Sequence, residues 1–152
     1  MQRFRLGGDA VSDDLPDEAA KLMDCAPLVI AVGLTTDAGP GGPDKLAARC
    51  AEISQKIGVP VLGASQADYE GLRVLKAKRV GIVTPFSAEV DAVVQANTEH
   101  AGFEVVAIKG TNAPSLPAIC ETPLDDIRAV FAEIAASDCD VILQVGTALP
   151  VV

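Results

Sequence analysis

Three short stretches combine glycine with threonine in the way an anion site needs. They are "VGLTTDAGPGG" (residues 32–42), "TPFSAE" (residues 84–89) and "VGTALP" (residues 145–150). Free backbone N–H groups and hydroxyls hold a carboxylate or phosphate where no arginine stands nearby. Glycine, proline and threonine also simply form turns, so it is their recurrence at three equivalent places that points to a ligand. Groups able to move a proton are scarcer. The single histidine, His100, falls at the end of a predicted helix beside Gly102, where it complements the helix terminus. Cys50 lies on an apolar helical stripe, Cys25 and Cys139 adjoin strands, and all three read as core. Cys120 comes just ahead of a predicted helix start, a place where thiols are activated, although a loop cysteine is more often a bystander. Asp13, Asp14, Asp17, Glu18, Asp125 and Asp126 read as solvated faces. No CxxC and no ligand-like pairing with His100 occur, so no metal is expected. No Gly-Lys pair follows a glycine loop and "GPGG" does not make a dinucleotide fingerprint, so no nucleotide cofactor is expected either.

The elements that must position these loops alternate. Residues 28–32, "LVIAV", form a continuous β-branched run, as in a strand buried on both faces. A helix follows from Pro43, with Leu46, Cys50, Ile53 and Ile57 on one stripe and Gly58 as its end. Residues 59–63 predict the second strand, and Ser65 caps a helix through Leu75, with Asp68 placed to complete a capping box. Residues 79–83 predict the third strand, turned by Thr84-Pro85. Ser87 opens a helix presenting Val90, Val93, Val94 and Asn97, and Gly102 closes it. Residues 104–108 give the fourth strand. A long Pro-rich loop, 109–121, leads to a helix capped by Thr122, with Pro123 in its first turn and a stripe of Ile127, Val130, Phe131 and Ile134. Residues 141–145, "VILQV", are the fifth strand. Strands alternating with helices predict an α/β fold with parallel sheets and flanking helices. A boundary near residues 76–78 divides the chain into lobes 1–76 and 77–152.

Composition narrows the function. The chain has 152 residues, enough for one domain or two small lobes, and its 49% apolar content argues against disorder. A net charge of −9 repels nucleic acid and anionic membrane surfaces. No apolar run has membrane-spanning length and the start "MQRFRLGGDA" does not read as a signal peptide, so a cytoplasmic protein with reduced thiols is expected.

Residues 71–106, "GLRVLKAKRVGIVTPFSAEVDAVVQANTEHAGFEVV", resemble the aspartate/glutamate racemase superfamily, in its maleate cis-trans isomerase and arylmalonate decarboxylase branch. That branch has a strand of the type R-V-[AG]-[LI]-x-T-[PA]-Y followed by x-x-[ED]-V-N. The resemblance runs from about "LVIAVG" to "LQVGTALP". It implies two pseudo-symmetric α/β lobes with the active site between them, and cofactor-independent chemistry through an enediolate or a covalent cysteine adduct. The family's two cysteine positions map to Gly33 and Val145, and its tyrosine maps to Phe86. Its substrate-binding positions map to Leu34, Thr35, Thr36, Thr84, Asp91, Gly146 and Thr147.

This sequence departs from the family at the reacting groups: neither position holds a cysteine, the phenol is gone, and the family asparagine is Asp91. The resemblance also implies elements on both sides of these residues, so the chain reads as an incomplete piece of a longer protein, with a short protein as the rival. Two functions follow as expectations. One is a cofactor-independent isomerase or decarboxylase acting on a small dicarboxylate of the maleate or substituted-malonate type. The other is a catalytically silent, carboxylate-binding or structural relative. The ligand expected is a small dicarboxylate, and a homo-oligomer is the expected assembly.

Overall fold

The structure, a computed structural model, describes residues 10–33 and 42–151. The chain divides into two compact units, residues 1–68 and 69–152.

The first unit opens with α1 (Ala10–Leu22), a helix that runs through Pro16 and ends in a single 3-10 turn, Met23–Cys25. β1 (Ile30–Val32) and β2 (Val61–Gly63) pair in parallel, Ile30 opposite Val61 and Val32 opposite Gly63. Between them runs α2 (Gly42–Ile57). Its stripe is as the spacing demands: Leu46, Cys50 and Ile53 are buried against Ala19, Ile30 and Val61. Gly58 follows at φ +76°, a left-handed conformation that costs a side-chain-bearing residue about 1–2 kcal/mol. β1 is shorter than the apolar run predicts. Leu28 is 91% exposed and Val29 52%, so "LVIAV" is not buried on both faces. The run counted apolar residues but not neighbours, and in this sheet β1 has one partner strand.

α3 (Ala64–Val74) starts one residue before Ser65. Ser65 is therefore inside the first turn rather than its cap, and Asp68 completes no capping box. The helix ends in a left-handed Lys76 at φ +56°, with the Lys76 N–H donating to the Arg73 carbonyl and the Ala77 N–H to the Leu72 carbonyl, both at 3.0 Å. This is a Schellman closure, here without glycine. The division between the units falls within α3, whose Leu72 already belongs to the apolar cluster of the second.

The second unit is a three-stranded parallel sheet in the order β4-β3-β5. β3 (Arg79–Thr84) is central; Val80, Ile82, Val83 and Thr84 are fully buried. β4 (Glu104–Gly110) and β5 (Val141–Gln144) flank it. α4 (Ala88–His100) packs on β4, and α6 (Leu124–Ala135) on β3 and β4. One cluster joins Leu72, Val80, Ile82, Val94, Phe103 and Val145, and another joins Val83, Ile119, Ile127, Ile134 and Leu149. At Gly81 a Cβ would stand 2.5 Å from the Ile134 side chain, so this strand glycine lets α6 approach. At the opposite end of the sheet from the glycine loops, Asp140 Oδ2 accepts the Lys78 and Arg79 N–H groups at 2.8 and 2.9 Å.

Three local expectations shift. The buried face of α4 is Asp91, Val94, Asn97 and Thr98, so Val90 and Val93 are only half-buried. The Pro-rich loop contains α5 (Leu116–Cys120), capped by the Ser115 hydroxyl, which accepts the Ala118 N–H. The cap residue of α6 is Pro123 rather than Thr122, whose hydroxyl instead donates to the Ala118 carbonyl at 3.2 Å. α5 draws Thr122 backward and leaves the helix to begin one residue later.

Candidate functional site

In the second unit the carboxyl ends of β3, β4 and β5 bring together three loops. In open α/β sheets this is where ligands bind. The β3 loop is Thr84-Pro85-Phe86-Ser87, leading into α4. Thr84 is fully buried. Its Oγ1 donates to Asp91 Oδ1 at 2.5 Å and accepts the Phe86 N–H at 3.1 Å. A hydroxyl has one proton to give. Thr84 gives it to Asp91, so the hydroxyl proton is already engaged within the protein. Thr84 ties the turn to α4.

Asp91 sits in the first turn of α4 and is buried, at 8% exposure. Burial pushes its carboxyl above the ordinary range, with the Thr84 hydrogen bond acting against that rise. Among the described residues it is the buried acid; the other buried polar side chains are Ser65, Thr84, Asn97 and Thr98. Its second oxygen lies over Gly110. A Cβ at Gly110 would stand 2.8 Å from Asp91 Oδ2 and 3.1 Å from Thr84 Oγ1, and would also collide with the Phe86 carbonyl oxygen. The end of β4 must therefore be glycine for the β3 turn to close over it. Two backbone bonds complete the closure: the Thr111 N–H donates to the Thr84 carbonyl at 2.9 Å, and the Ala113 N–H to the Pro85 carbonyl at 3.0 Å. Beside them the Thr111 hydroxyl is buried without a partner among the described residues. Neither Gly110 nor Thr111 was found from sequence. The signal available was a Gly-Thr pair at a strand end, the same signal used for the other loops, hidden inside a segment assigned to a long loop.

The β5 loop contributes Gly146 and Thr147. Gly146 has φ +93°, and a Cβ there would lie 2.8 Å from the Pro85 ring and 3.2 Å from Phe86. Glycine thus serves both the turn and the approach of the β3 loop. The Gly146 carbonyl accepts the Gln144 side-chain amide at 2.6 Å and the Leu149 N–H at 3.1 Å. Thr147 is exposed. The N–H groups of Gly146, Thr147 and Ala148 have no acceptor among the described residues. The first turn of α4 is already served by the Glu89 carboxylate, held below its ordinary range by the Ser87 hydroxyl and its own backbone N–H, so the free donors suited to an anion are those of the β5 loop.

The remaining sequence candidates fall as follows. Val145 is 4% exposed, packs in the apolar cluster with Val80, Ile82 and Val94, and its N–H donates to the Val83 carbonyl at 2.9 Å. β5 ends one residue earlier than its apolar run, and Val145 turns into the core. Phe86 is half-buried and packs against both clusters of the unit. Gly33 follows β1 in the first unit, exposed, with no atom of the described residues within 4 Å of where a Cβ would stand. Leu34, Thr35 and Thr36 lie outside the described residues. Cys50 is buried, as expected, but Cys25 is exposed and not core. It ends the 3-10 turn ahead of β1 rather than entering the strand. Cys120 is exposed at the C-terminal end of α5, not at a helix start. His100 is the last residue of α4. No group of metal-ligating side chains occurs among the described residues, and none of their helices is long and apolar enough to cross a membrane.

Comparison with known proteins gives this arrangement a context. No curated protein sequence matches the chain. Solved structures do. The chain is similar to a Nocardia farcinica maleate cis-trans isomerase bound to TRIS (TM-score 0.80, 24% identity, 93% of this chain and 60% of that one). It is likewise similar to an arylmalonate decarboxylase (TM-score 0.79, 23% identity, 91% and 62%). A Pseudomonas putida S16 maleate isomerase mutant with maleate also matches (TM-score 0.80, 22% identity, 90% and 57%). At these identities the likeness establishes the fold, parallel sheets with flanking helices, and the chain spans about 60% of the length of these relatives. A family model described as arylmalonate decarboxylase matches residues 4–149, nearly the whole sequence. The chain therefore belongs to the arylmalonate decarboxylase family.

Proposed function

We propose that this protein binds a small dicarboxylic acid of the maleate or substituted-malonate type and acts on it without a cofactor, as an isomerase or decarboxylase, through an enediolate. The observation that carries the reading is the set of free N–H groups at Gly146, Thr147 and Ala148, beside the α4 start, in a chain of this family. A bound carboxylate takes these donors, and the same donors stabilise the negative charge that moves onto a carboxylate when the neighbouring carbon loses a proton or carbon dioxide. Donors fixed in advance act as an oxyanion hole does. The Phe86 ring and Pro85 supply an apolar flank next to them. Relatives support the substrate class: one solved maleate isomerase contains maleate, and another isomerase mutant holds a covalently bound succinylcysteine intermediate. A thiol adduct of that kind has no cysteine here at Gly33 or Val145, which favours the enediolate route. A cytoplasmic location and self-association go with this reading.

The missing thiols also favour a second reading, a relative that binds carboxylates and does not turn them over. The test is calorimetric titration with malonate and maleate, followed by assays for carbon dioxide release from phenylmalonate and for deuterium uptake next to the carboxylate in D2O. Binding with turnover supports the first reading. Binding without either reaction leaves the second. No binding of any dicarboxylate defeats both.

A further inference from the structure

We propose that Asp91 carries the proton in this site: one carboxyl oxygen is anchored by Thr84, and the other, held over Gly110, exchanges a proton with the carbon next to the substrate carboxylate. The inference rests on the dicarboxylate reading above and names the group that reading leaves open. Its basis is geometric. Asp91 Oδ1 takes the Thr84 hydroxyl proton, which fixes the carboxyl plane. Oδ2 has no hydrogen-bond partner among the described residues and is not one of their fully buried unpartnered atoms. The Phe86 carbonyl oxygen, Asp91 Oδ2 and Thr84 Oγ1 stand where a Gly110 side chain would be, so glycine there lets the carboxyl lie against the end of β4.

The chemistry of the position points the same way. To anchor Thr84, an amide oxygen serves as well as a carboxylate and adds no charge to bury. A buried ionisable group carries a desolvation cost that a neutral residue avoids. Such groups concentrate at functional sites. Burial raises the Asp91 carboxyl, and an arriving dicarboxylate raises it further by like-charge repulsion. Both effects favour the protonated form that can donate. The alternatives are poorly placed: His100 is nine residues along α4, roughly 13 Å away by helical rise, and Cys120 is exposed at the end of α5.

For a substituted malonate the step balances simply. The bond from the central carbon to one carboxylate breaks and carbon dioxide leaves. The electron pair stays on the remaining carboxylate as an enediolate held by the loop N–H groups. The Asp91 proton then forms the new C–H bond, and water reprotonates the carboxylate left behind. In proton exchange, the ionised Asp91 carboxylate first removes the proton from carbon, passes it to water, and returns a proton taken from the solvent.

Asp91→Asn keeps an acceptor for Thr84 and removes the ionisable group. With phenylmalonate and with phenylacetate in D2O, the variant is expected to bind malonate within about threefold of the parent. It is expected to lose carbon dioxide release and deuterium uptake by about 10²–10⁴-fold, the usual worth of general acid–base assistance. Undiminished rates in Asp91→Asn overturn the assignment and leave the dicarboxylate reading standing. Failure of the parent protein to bind malonate or catalyse either reaction overturns both. If the asparagine variant does not fold, the Asp91 carboxyl carbon resonance in ¹³C-labelled parent protein decides. Displacement by malonate supports the assignment, and indifference to saturating malonate overturns it.

Discussion

Gly110→Ala is the smallest change that tests whether the β3 and β4 loops form one closed unit. The added methyl would meet three atoms: the Phe86 carbonyl oxygen, Asp91 Oδ2 at 2.8 Å and Thr84 Oγ1 at 3.1 Å. None is the free end of a flexible side chain. The carbonyl belongs to a turn fixed by the Thr111 and Ala113 N–H bonds, and the two side chains are hydrogen-bonded to each other and buried. Relief therefore requires the loop to shift. Overpacking of this kind costs about 1–3 kcal/mol. At about 2–4 °C per kcal/mol for a chain of this size, Tm should fall by about 2–12 °C. Gly71→Ala is the matched control: Gly71 lies in α3, is exposed, and has nothing within 4 Å of a Cβ. Helix propensity alone should make that variant more stable by about 0.5–1 kcal/mol. Thermal unfolding followed by circular dichroism gives both values. Malonate affinity should fall in Gly110→Ala and stay unchanged in Gly71→Ala. A Gly110→Ala protein that melts with the parent would refute the closed arrangement of Thr84, Phe86, Asp91 and Gly110.

Other substitutions separate the roles assigned above. Thr84→Val should destabilise the protein by about 1–3 kcal/mol or more, because it leaves a buried carboxyl without its donor; an unchanged denaturation midpoint would mean that the Thr84–Asp91 bond contributes nothing. Val145→Cys should add a thiol that Ellman's reagent reaches only on unfolding, leaving the number of fast-reacting thiols as in the parent, where Cys25 and Cys120 are exposed and Cys139 is half-buried; one fast thiol more than the parent shows would place residue 145 at the surface. Because the folded Asp91 carboxyl is raised, the folded state holds its proton longer than the unfolded chain does. Its contribution to stability is complete below the ordinary aspartate value near 3.9 and is lost as pH rises through the folded value. Asp140 acts in the opposite sense: its carboxylate is held below the ordinary range by the Arg79 and Lys78 N–H groups, so its contribution is present above that range and is lost as pH falls through the lowered value. Urea titrations across pH 2–8 should show Asp91→Asn flattening the decline above the ordinary aspartate value and Asp140→Asn flattening the loss below it; the reverse assignment would contradict both environments.

Sequence reading worked where one periodicity was decided by one partner. The α2 stripe of Leu46, Cys50 and Ile53, its end at Gly58 and the central strand β3 follow from residue type and spacing alone. It failed where a neighbour decides. The exposure of Leu28 reflects how many strands flank β1, which no run of apolar residues encodes. Ser115 and Thr122 are both competent caps, and only the α5 turn determines which serves which helix. For the site, residue type marks the loops, and the fold decides what each side chain touches. Thr84 has a hydroxyl, yet its proton is taken by Asp91, and Val145 is next to the β5 turn yet faces the core. Gly110 matters through three atoms brought from two other segments, a contact that spacing along the chain does not reveal.

The most direct test of the central claim is an amide-resolved NMR titration of the protein with malonate, with chloride at equal ionic strength as the reference. The account predicts saturable shifts concentrated at Ser87, Gly110, Thr111, Gly146, Thr147 and Ala148, at the carboxyl ends of β3, β4 and β5. Shifts centred instead on the apolar groove of about 240 Å³ between Leu124, Ile127, Phe131 and Pro150, or no saturable shifts at all, would contradict a carboxylate site at the strand ends.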